Sequence, residues 1–70
     1  MERVKVESSN IRSVGYDKET GVLEIEFSND SIFQYDSIQP ETHNALMTSK
    51  SKGKYFHNYI KNFHSSTRIK

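Results

Sequence analysis

The feature that most constrains the fold of this sequence is a change of hydrophobic period near residue 40. Within Val22–Phe27, the apolar side chains of Leu23, Ile25 and Phe27 alternate with acidic ones. This two-residue period is that of a strand with one buried face. After Pro40 the apolar residues recur at the 3.6-residue period of a helix. The sequence therefore predicts an α+β fold, in which an antiparallel β-meander precedes two helices packed on one face.

Polar turn residues divide the first half of the chain into strands. Asp17–Gly21 reads as a hairpin loop that ends in glycine, and Ser28–Ser31 reads as a tight turn. The strand candidates are a short segment around Val4 and Val6, then residues 11–16, 22–27 and 32–35. Because the first candidate is short, we expect a meander of three to four strands.

The second half of the chain reads as two helices and a tail. Pro40 suits a first helical turn, and this helix is expected to end near Thr48. Ser51 is the expected N-cap of a second helix over residues 52–63. Its apolar stripe is expected to pack, together with Phe27, between helix and sheet: Tyr55, Phe56, Tyr59, Ile60 and Phe63. We expect a single domain over residues 1–64 and a disordered C-terminal tail over residues 65–70.

The register of the hairpin around Asn29 decides whether Phe33 and Tyr35 are buried. A two-residue turn would place both rings on the polar face, where they would form a stacking platform for RNA bases. A three-residue loop of Asn29 to Ser31 would pair Phe27 with Phe33 and bury both aromatic rings. We favour the core interpretation, because so small a domain needs these rings in its core.

Composition excludes several classes of protein. The chain has 70 residues and no cysteine, so disulfides, thiolate metal sites and thiol nucleophiles are absent. No apolar run reaches the roughly 18 residues of a membrane span. We therefore expect a cytoplasmic monomer that binds no cofactor and does not associate with a membrane.

Charge is divided unevenly along the chain. Residues 1–41 contain all nine acids and four bases, whereas residues 42–70 contain six bases and no acid. Three lysines flank the expected start of the second helix, where free N–H groups attract anions. The candidate anion or nucleic-acid site comprises Lys50, Ser51, Lys52, Gly53, Lys54 and Lys61. The alternative is a capped helix start with solvated lysines.

Catalytic signatures are missing. His43, His57 and His64 have neither cysteine nor a following acid beside them, which makes surface or packed histidines more plausible than a metal site. No nucleophile motif and no pair of carboxylates suited to acid–base chemistry is present. We expect a module that binds rather than an enzyme.

An ordered set of short motifs resembles the KTSC domain, a small module found alone in bacterial and phage proteins and at the C-terminus of some lysyl-tRNA synthetases. The motifs are Ser8-Ser9-x-Ile11, Gly15-Tyr16-Asp17, Leu23-x-Ile25-x-Phe27, Phe33-Gln34-Tyr35, Ser51-x-Gly53-x-Tyr55-Phe56 and Ile60-Lys61. The resemblance covers residues 8–62. It implies no catalytic activity, and the synthetase context implies RNA or another polyanion as the ligand. The alternative is a protein-interaction or structural accessory domain with no nucleic-acid role.

Three positions depart from the family pattern. Phe33 replaces a tyrosine, Asp30 replaces a glycine in the tight turn, and Ser49 replaces an alanine before the Ser-x-Gly motif. The first change removes a hydroxyl that a role for two tyrosines would need. We expect the other two changes to affect only the local backbone. Asp17 is expected to form a hydrogen bond within its own turn.

Overall fold

The computed structural model describes residues 1–70, which form one antiparallel sheet and two helices. The elements are β1 (Arg3–Lys5), β2 (Ile11–Asp17), β3 (Val22–Phe27), β4 (Ile32–Tyr35), α1 (Pro40–Thr48), α2 (Lys52–Tyr59) and β5 (Ser66–Arg68). The strands neighbour one another in chain order, as in a meander. The predicted α+β fold is confirmed, with five strands instead of three to four. Neither helix is long or apolar enough to cross a membrane.

One face of the sheet and both helices enclose the core. Alternation along the strands places apolar side chains on this face, and a bulge between Ile11 and Ser13 keeps Ile11 and Val14 there together. The buried cluster comprises Ile11, Val14, Leu23, Ile25, Tyr35, Ile38, Leu46, Phe56 and Ile60. Burial of these side chains is the main force that holds the helices on the sheet.

The register of the β3–β4 hairpin places Phe33 and Tyr35 on the core face. Ile25 lies opposite Phe33 and Leu23 lies opposite Tyr35. The core interpretation is confirmed for Tyr35, which is buried, whereas Phe33 packs against the core but is only partly buried. Each ring lies opposite a residue two positions earlier than predicted. The reason is that the three-residue loop is Ser28 to Asp30: the Phe27 N–H donates to the Ser31 carbonyl at 2.9 Å, and Asp30 has a positive φ of 72°.

The opposite face of the sheet is polar but only partly wet. We predicted that Glu24 and Glu26 point to solvent, yet Glu24 is buried. Its carboxylate accepts hydrogen bonds from Arg3 and from Gln34 Nε2. The reason is that β1 pairs with β2 at the edge of the sheet and places Arg3 opposite Gly15, which lies opposite Glu24. Because Gly15 has no side chain, the guanidinium group of Arg3 reaches across β2 to the carboxylate. The alternating pattern of β3 alone does not reveal this contact, because Arg3 comes from another strand.

Helix α2 is shorter than predicted. It ends at Tyr59, where Ile60 takes a non-helical backbone conformation (φ −120°). Phe56 and Ile60 are buried, and Tyr55 packs against the core, but the side chains of Tyr59 and Phe63 are 59% and 69% exposed. The prediction that all five stripe residues pack on the sheet is therefore wrong for these two. The stripe is wider than the surface that the sheet offers, and the chain must turn after Ile60 to reach β5.

The last residues form an edge strand instead of the predicted disordered tail. Ser66, Thr67 and Arg68 lie opposite Tyr35, Gln34 and Phe33 of β4. The Ile69 N–H donates to the Ile32 carbonyl at 2.7 Å, and the Asp36 N–H donates to the Ser65 carbonyl at 3.0 Å. The disordered tail was predicted from polar composition. An exposed edge strand needs few apolar side chains, however, because its pairing is made by backbone groups.

Candidate nucleic-acid interface

The start of α2 presents unpaired backbone donors. Ser51 occupies the N-cap position, as predicted, but its side chain makes no capping hydrogen bond. The N–H groups of Lys52, Gly53 and Lys54 precede the first intrahelical bond of this helix, in which the Tyr55 N–H donates to the Ser51 carbonyl. No acidic residue lies in the first turn. The positive end of the helix dipole is therefore not neutralised by the helix itself.

The connection between the two helices is held by Ser49. Its hydroxyl donates to the Ser51 carbonyl at 3.0 Å and accepts from the Ser51 N–H at 3.2 Å. Lys52 Nζ donates to the Ser49 carbonyl at 3.2 Å. Serine in place of the alanine common here thus adds two hydrogen bonds that order the approach to α2. The Lys52 ammonium group keeps further donors for a ligand.

The loop of residues 8–10 lies directly against the start of α2. Ser8 Oγ accepts hydrogen bonds from the N–H groups of Asn10 and Ile11, both at 3.3 Å. A Cβ atom built on Gly53 would lie 3.5 Å from Asn10 Nδ2 and 3.6 Å from Ser8 Oγ. Two motifs separated by about forty residues in the sequence therefore meet in the folded domain.

These two segments line a cleft of about 450 Å³ with no apolar residue in its walls. The α2 wall contributes three cations and the free N–H groups, and the loop wall contributes hydroxyl, amide and carboxylate groups. The lining residues are Glu7, Ser8, Ser9, Asn10, Lys50, Ser51, Lys52, Gly53, Lys54 and His57. We name this site the lysine cleft. Its chemistry suits a polar anionic ligand, since it offers no surface for an apolar one.

The lysines of the cleft have no carboxylate partner within the protein. The ion pairs of the domain lie on the sheet and its turn, where Arg3 meets Glu24 and Arg12 meets Glu26 and Asp30. Glu7 lies in the cleft but forms no salt bridge with any of its lysines. The positive charge of the cleft is thus available to a ligand.

The structure brings together five of the six predicted anion-site residues. Lys50, Ser51, Lys52, Gly53 and Lys54 all line the lysine cleft. The sixth, Lys61, follows the end of α2 and is exposed outside it. The helix ends at Tyr59, between His57 and Lys61, so Lys61 does not continue the helical wall of the cleft.

Sequence reasoning missed the opposite wall of the cleft. The sequence contains Ser8 and Ser9 as a short motif, and this motif is the signal that could have assigned them to the site. Asn10 lies in the same loop and could have been assigned with them. Glu7 and His57 carry no signal in the sequence, because their position depends on how α2 docks against the loop.

A second cleft, of about 910 Å³, lies beside Tyr16 and His43. Their rings stack with centroids 4.4 Å apart, and the Tyr16 hydroxyl donates to the Ile38 carbonyl at 2.6 Å. Burial lowers the pKa of His43, which favours its neutral form. Asp17, at the edge of this cleft, accepts from the Glu19 N–H at 3.0 Å, which confirms its predicted role within the turn. No group of three or more histidine and acidic side chains in the domain is arranged to hold a metal ion.

Comparison with known proteins identifies two kinds of relatives: proteins of about the same length as this chain and much longer proteins. The family model described as KTSC domain matches residues 7–63. An uncharacterised protein of Stutzerimonas stutzeri is 41% identical over 64 residues, which cover 91% of this chain and 90% of that protein. The crystal structure of a KTSC domain protein from Yersinia pestis is 35% identical, with a TM-score of 0.95, and the match covers 99% of this chain and 97% of that one.

The larger relatives are synthetases. A lysine–tRNA ligase of Nostoc punctiforme is 34% identical over 58 residues, and a lysine–tRNA ligase of a Nostoc species is 36% identical over the same length. Each match covers 83% of this chain but only 10% of the ligase. The similarity therefore concerns one small segment of each ligase.

Proposed function

The chain belongs to the KTSC domain family, and we propose that it is a small RNA-binding module whose lysine cleft binds consecutive phosphates of the RNA backbone. The observation that carries this proposal is the convergence of three lysines and three free backbone N–H groups at the start of α2. Binding, without a chemical step, is the function proposed. Its expected place is the cytoplasm.

Electrostatics support an anion as the ligand. Lysines near the N-terminal end of a helix oppose the helix dipole, so their charge at this place is electrostatically unfavourable for the isolated helix. A bound phosphate reverses the balance, because it is attracted by the cations and by the N–H groups together. Gly53 supports close approach, since it presents no side chain at the point where the two walls meet.

The relatives support RNA as the source of the phosphate. A lysine–tRNA ligase acts on a tRNA, and a segment similar to this chain makes up 10% of each such ligase. A small appended module that contacts the RNA backbone would add affinity to such an enzyme without altering its catalytic site. The same chemistry would serve this chain.

Salt dependence provides the direct test. A fluorescently labelled single-stranded RNA is titrated with the protein at several salt concentrations, and binding is followed by anisotropy. With the three cleft lysines each neutralising one phosphate, log K should fall against log salt with a slope of about −2. Affinity should therefore drop roughly 15-fold between about 50 and about 200 mM salt. Absent or salt-independent binding would contradict the proposal.

A pair of charge-reversed variants locates the binding site. Lys52→Glu combined with Lys54→Glu should abolish RNA binding and leave the circular dichroism spectrum unchanged, because an acid at a helix start favours the helix dipole. Lys61→Glu combined with Lys70→Glu is the matched control, since it reverses two exposed charges outside the cleft, and most of the affinity should remain. Equal losses from the two proteins would show that general charge, and not the cleft, binds RNA.

A protein partner that adds a strand to the sheet is the alternative ligand class. The edge strands β1 and β5 have three residues each, and so short an edge offers few hydrogen bonds for strand addition. The RNA proposal is therefore preferred. Capture of one specific protein from a nuclease-treated lysate, with no RNA binding by the purified domain, would favour the alternative.

A further inference from the structure

The two walls of the lysine cleft differ in what they can offer a ligand. The α2 wall consists of hydrogen-bond donors, namely ammonium groups and backbone N–H groups. The loop wall carries Glu7, whose carboxylate can only accept hydrogen bonds. A phosphodiester also has acceptors only, so it can accept hydrogen bonds from the α2 wall and from the hydroxyl and amide groups of the loop wall, but not from Glu7. A ligand that satisfies Glu7 as well needs a donor next to its phosphate.

Glu7 has no structural role that explains its place in the cleft. It is exposed, makes no hydrogen bond through its side chain and forms no ion pair with the lysines. A negative charge beside a phosphate site weakens phosphate binding unless the carboxylate accepts a hydrogen bond from the same ligand. In RNA, the group adjacent to the phosphate that can donate such a bond is the ribose 2′-hydroxyl.

We propose that Glu7 accepts a hydrogen bond from a ribose 2′-hydroxyl while the α2 wall holds the neighbouring phosphate. Glu7 is then the residue that distinguishes RNA from DNA. The inference rests on the proposed function, because it requires a nucleic-acid phosphate in the cleft. The cleft has no Phe, Tyr or Trp side chain, and His57 is its one aromatic ring. It therefore offers no stacking platform for several bases, and we expect little dependence on base sequence.

The ratio of the affinity for RNA to the affinity for DNA tests this role, because general charge effects act on both ligands equally. Single-stranded RNA, 2′-O-methyl RNA and DNA of one sequence and length are titrated with the wild-type protein and with Glu7→Ala. Loss of the carboxylate removes the same repulsion from all three ligands, so the RNA-to-DNA ratio isolates the hydroxyl contact. Glu19→Ala is the control, because it removes an exposed acid outside the lysine cleft.

The wild-type protein should bind RNA about tenfold more tightly than DNA, as expected for a hydrogen bond to a charged group. The 2′-O-methyl RNA should bind like DNA, because it has no hydroxyl to donate. In Glu7→Ala the ratio should approach one, whereas Glu19→Ala should retain the wild-type ratio.

Two results would overturn the inference in different ways. If the wild-type protein binds RNA and DNA equally, or if Glu7→Ala strengthens both without altering their ratio, then Glu7 is only a repulsive charge and the RNA-binding proposal still stands. If neither nucleic acid binds at all, the proposed function fails, and the role of Glu7 fails with it.

Discussion

Positive φ angles at single residues shape the turns of this domain. Gly21 (φ 76°) closes the β2–β3 hairpin, while Asp30 (φ 72°) and Ser37 (φ 62°) take the same left-handed conformation without being glycine. At Asp30, where the family commonly has glycine, the side chain forms an ion pair with Arg12 that offsets part of the strain. A departure from the family pattern thus has a local physical explanation.

Gly21→Ala is expected to lower the free energy of unfolding by about 1 to 2 kcal/mol, because an L-residue is strained at this φ. The turn cannot relax easily, since the Gly21 carbonyl accepts from the Ile38 N–H at 2.8 Å and the Gly21 N–H donates to the Asp17 carbonyl at 2.8 Å. Urea denaturation measures the change.

Gly53→Ala serves as the matched control for Gly21→Ala. Gly53 lies in α2 with a helical backbone, and an added Cβ would meet its neighbours at ordinary contact distances. Alanine should be neutral or stabilising here, by up to about 1 kcal/mol. A similar loss in both variants would show that the φ angle is not the cause.

Helix α2 and strand β5 are the elements in which the structure departs most from expectation. The presence and start of the helix could be predicted from Ser51 and the apolar period, but its end could not. Its last turn is determined by the path of the chain towards β5, a tertiary effect that overrides local periodicity. Strand β5 could not be predicted either, because its sequence has no alternation of apolar and polar residues. It is held by backbone pairing with β4.

Adjacent residues at the end of α2 should respond differently to truncation. Ile60 is fully buried, so Ile60→Val should cost about 1 kcal/mol of unfolding free energy. Tyr59→Ala removes far more atoms from a side chain that is mostly exposed, and should change stability by less than about 0.5 kcal/mol. Denaturant melts compare the two, and a larger loss for Tyr59→Ala would contradict the observed helix orientation.

Removal of residues 65–70 tests the fifth strand. The shortened chain should lose about 2 kcal/mol of unfolding free energy, because several backbone hydrogen bonds to β4 disappear together. Amide exchange at Ile32 and Asp36, whose N–H groups donate to residues of this segment, should accelerate in the same protein. Unchanged stability and exchange would mean that the segment is frayed in solution, as its composition suggested.

At the scale of the whole molecule, a body of 27 × 25 × 23 Å places the basic cleft on the helical half and buries the acidic side chain of Glu24 in the sheet. The α+β class, the core face of β3 and the cationic wall of the cleft could all be predicted from local patterns. The loop wall could not, because it depends on contacts between distant segments. The buried state of Glu24 depends in the same way on β1.

Stability should decrease as the solution is acidified. Burial raises the pKa of Glu24, but hydrogen bonds from Gln34 and Arg3 and the charge of Arg3 outweigh it, leaving the pKa below its ordinary value of 4.5. Burial leaves the pKa of His43 below 6.5. In both cases the unfolded chain binds the proton first, so stability is lost as pH falls: below about 6.5 through His43, and below about 4.5 through Glu24.

Denaturant melts across this pH range separate the two groups. Glu24→Gln should flatten the lower part of the stability curve, and His43→Phe, which keeps a ring stacked on Tyr16, should flatten the upper part. Curves that remain parallel to the wild type would show that other groups control the acid transition.

The meeting of residues 8–10 with the start of α2 ties ligand affinity to folding itself. In the unfolded chain these segments are about forty residues apart, so the cleft exists only in the native state. A molecule that bridges both walls acts as a clamp between the sheet and the helix. It raises the temperature of unfolding, and the stabilisation grows with the logarithm of the ratio of its free concentration to its dissociation constant.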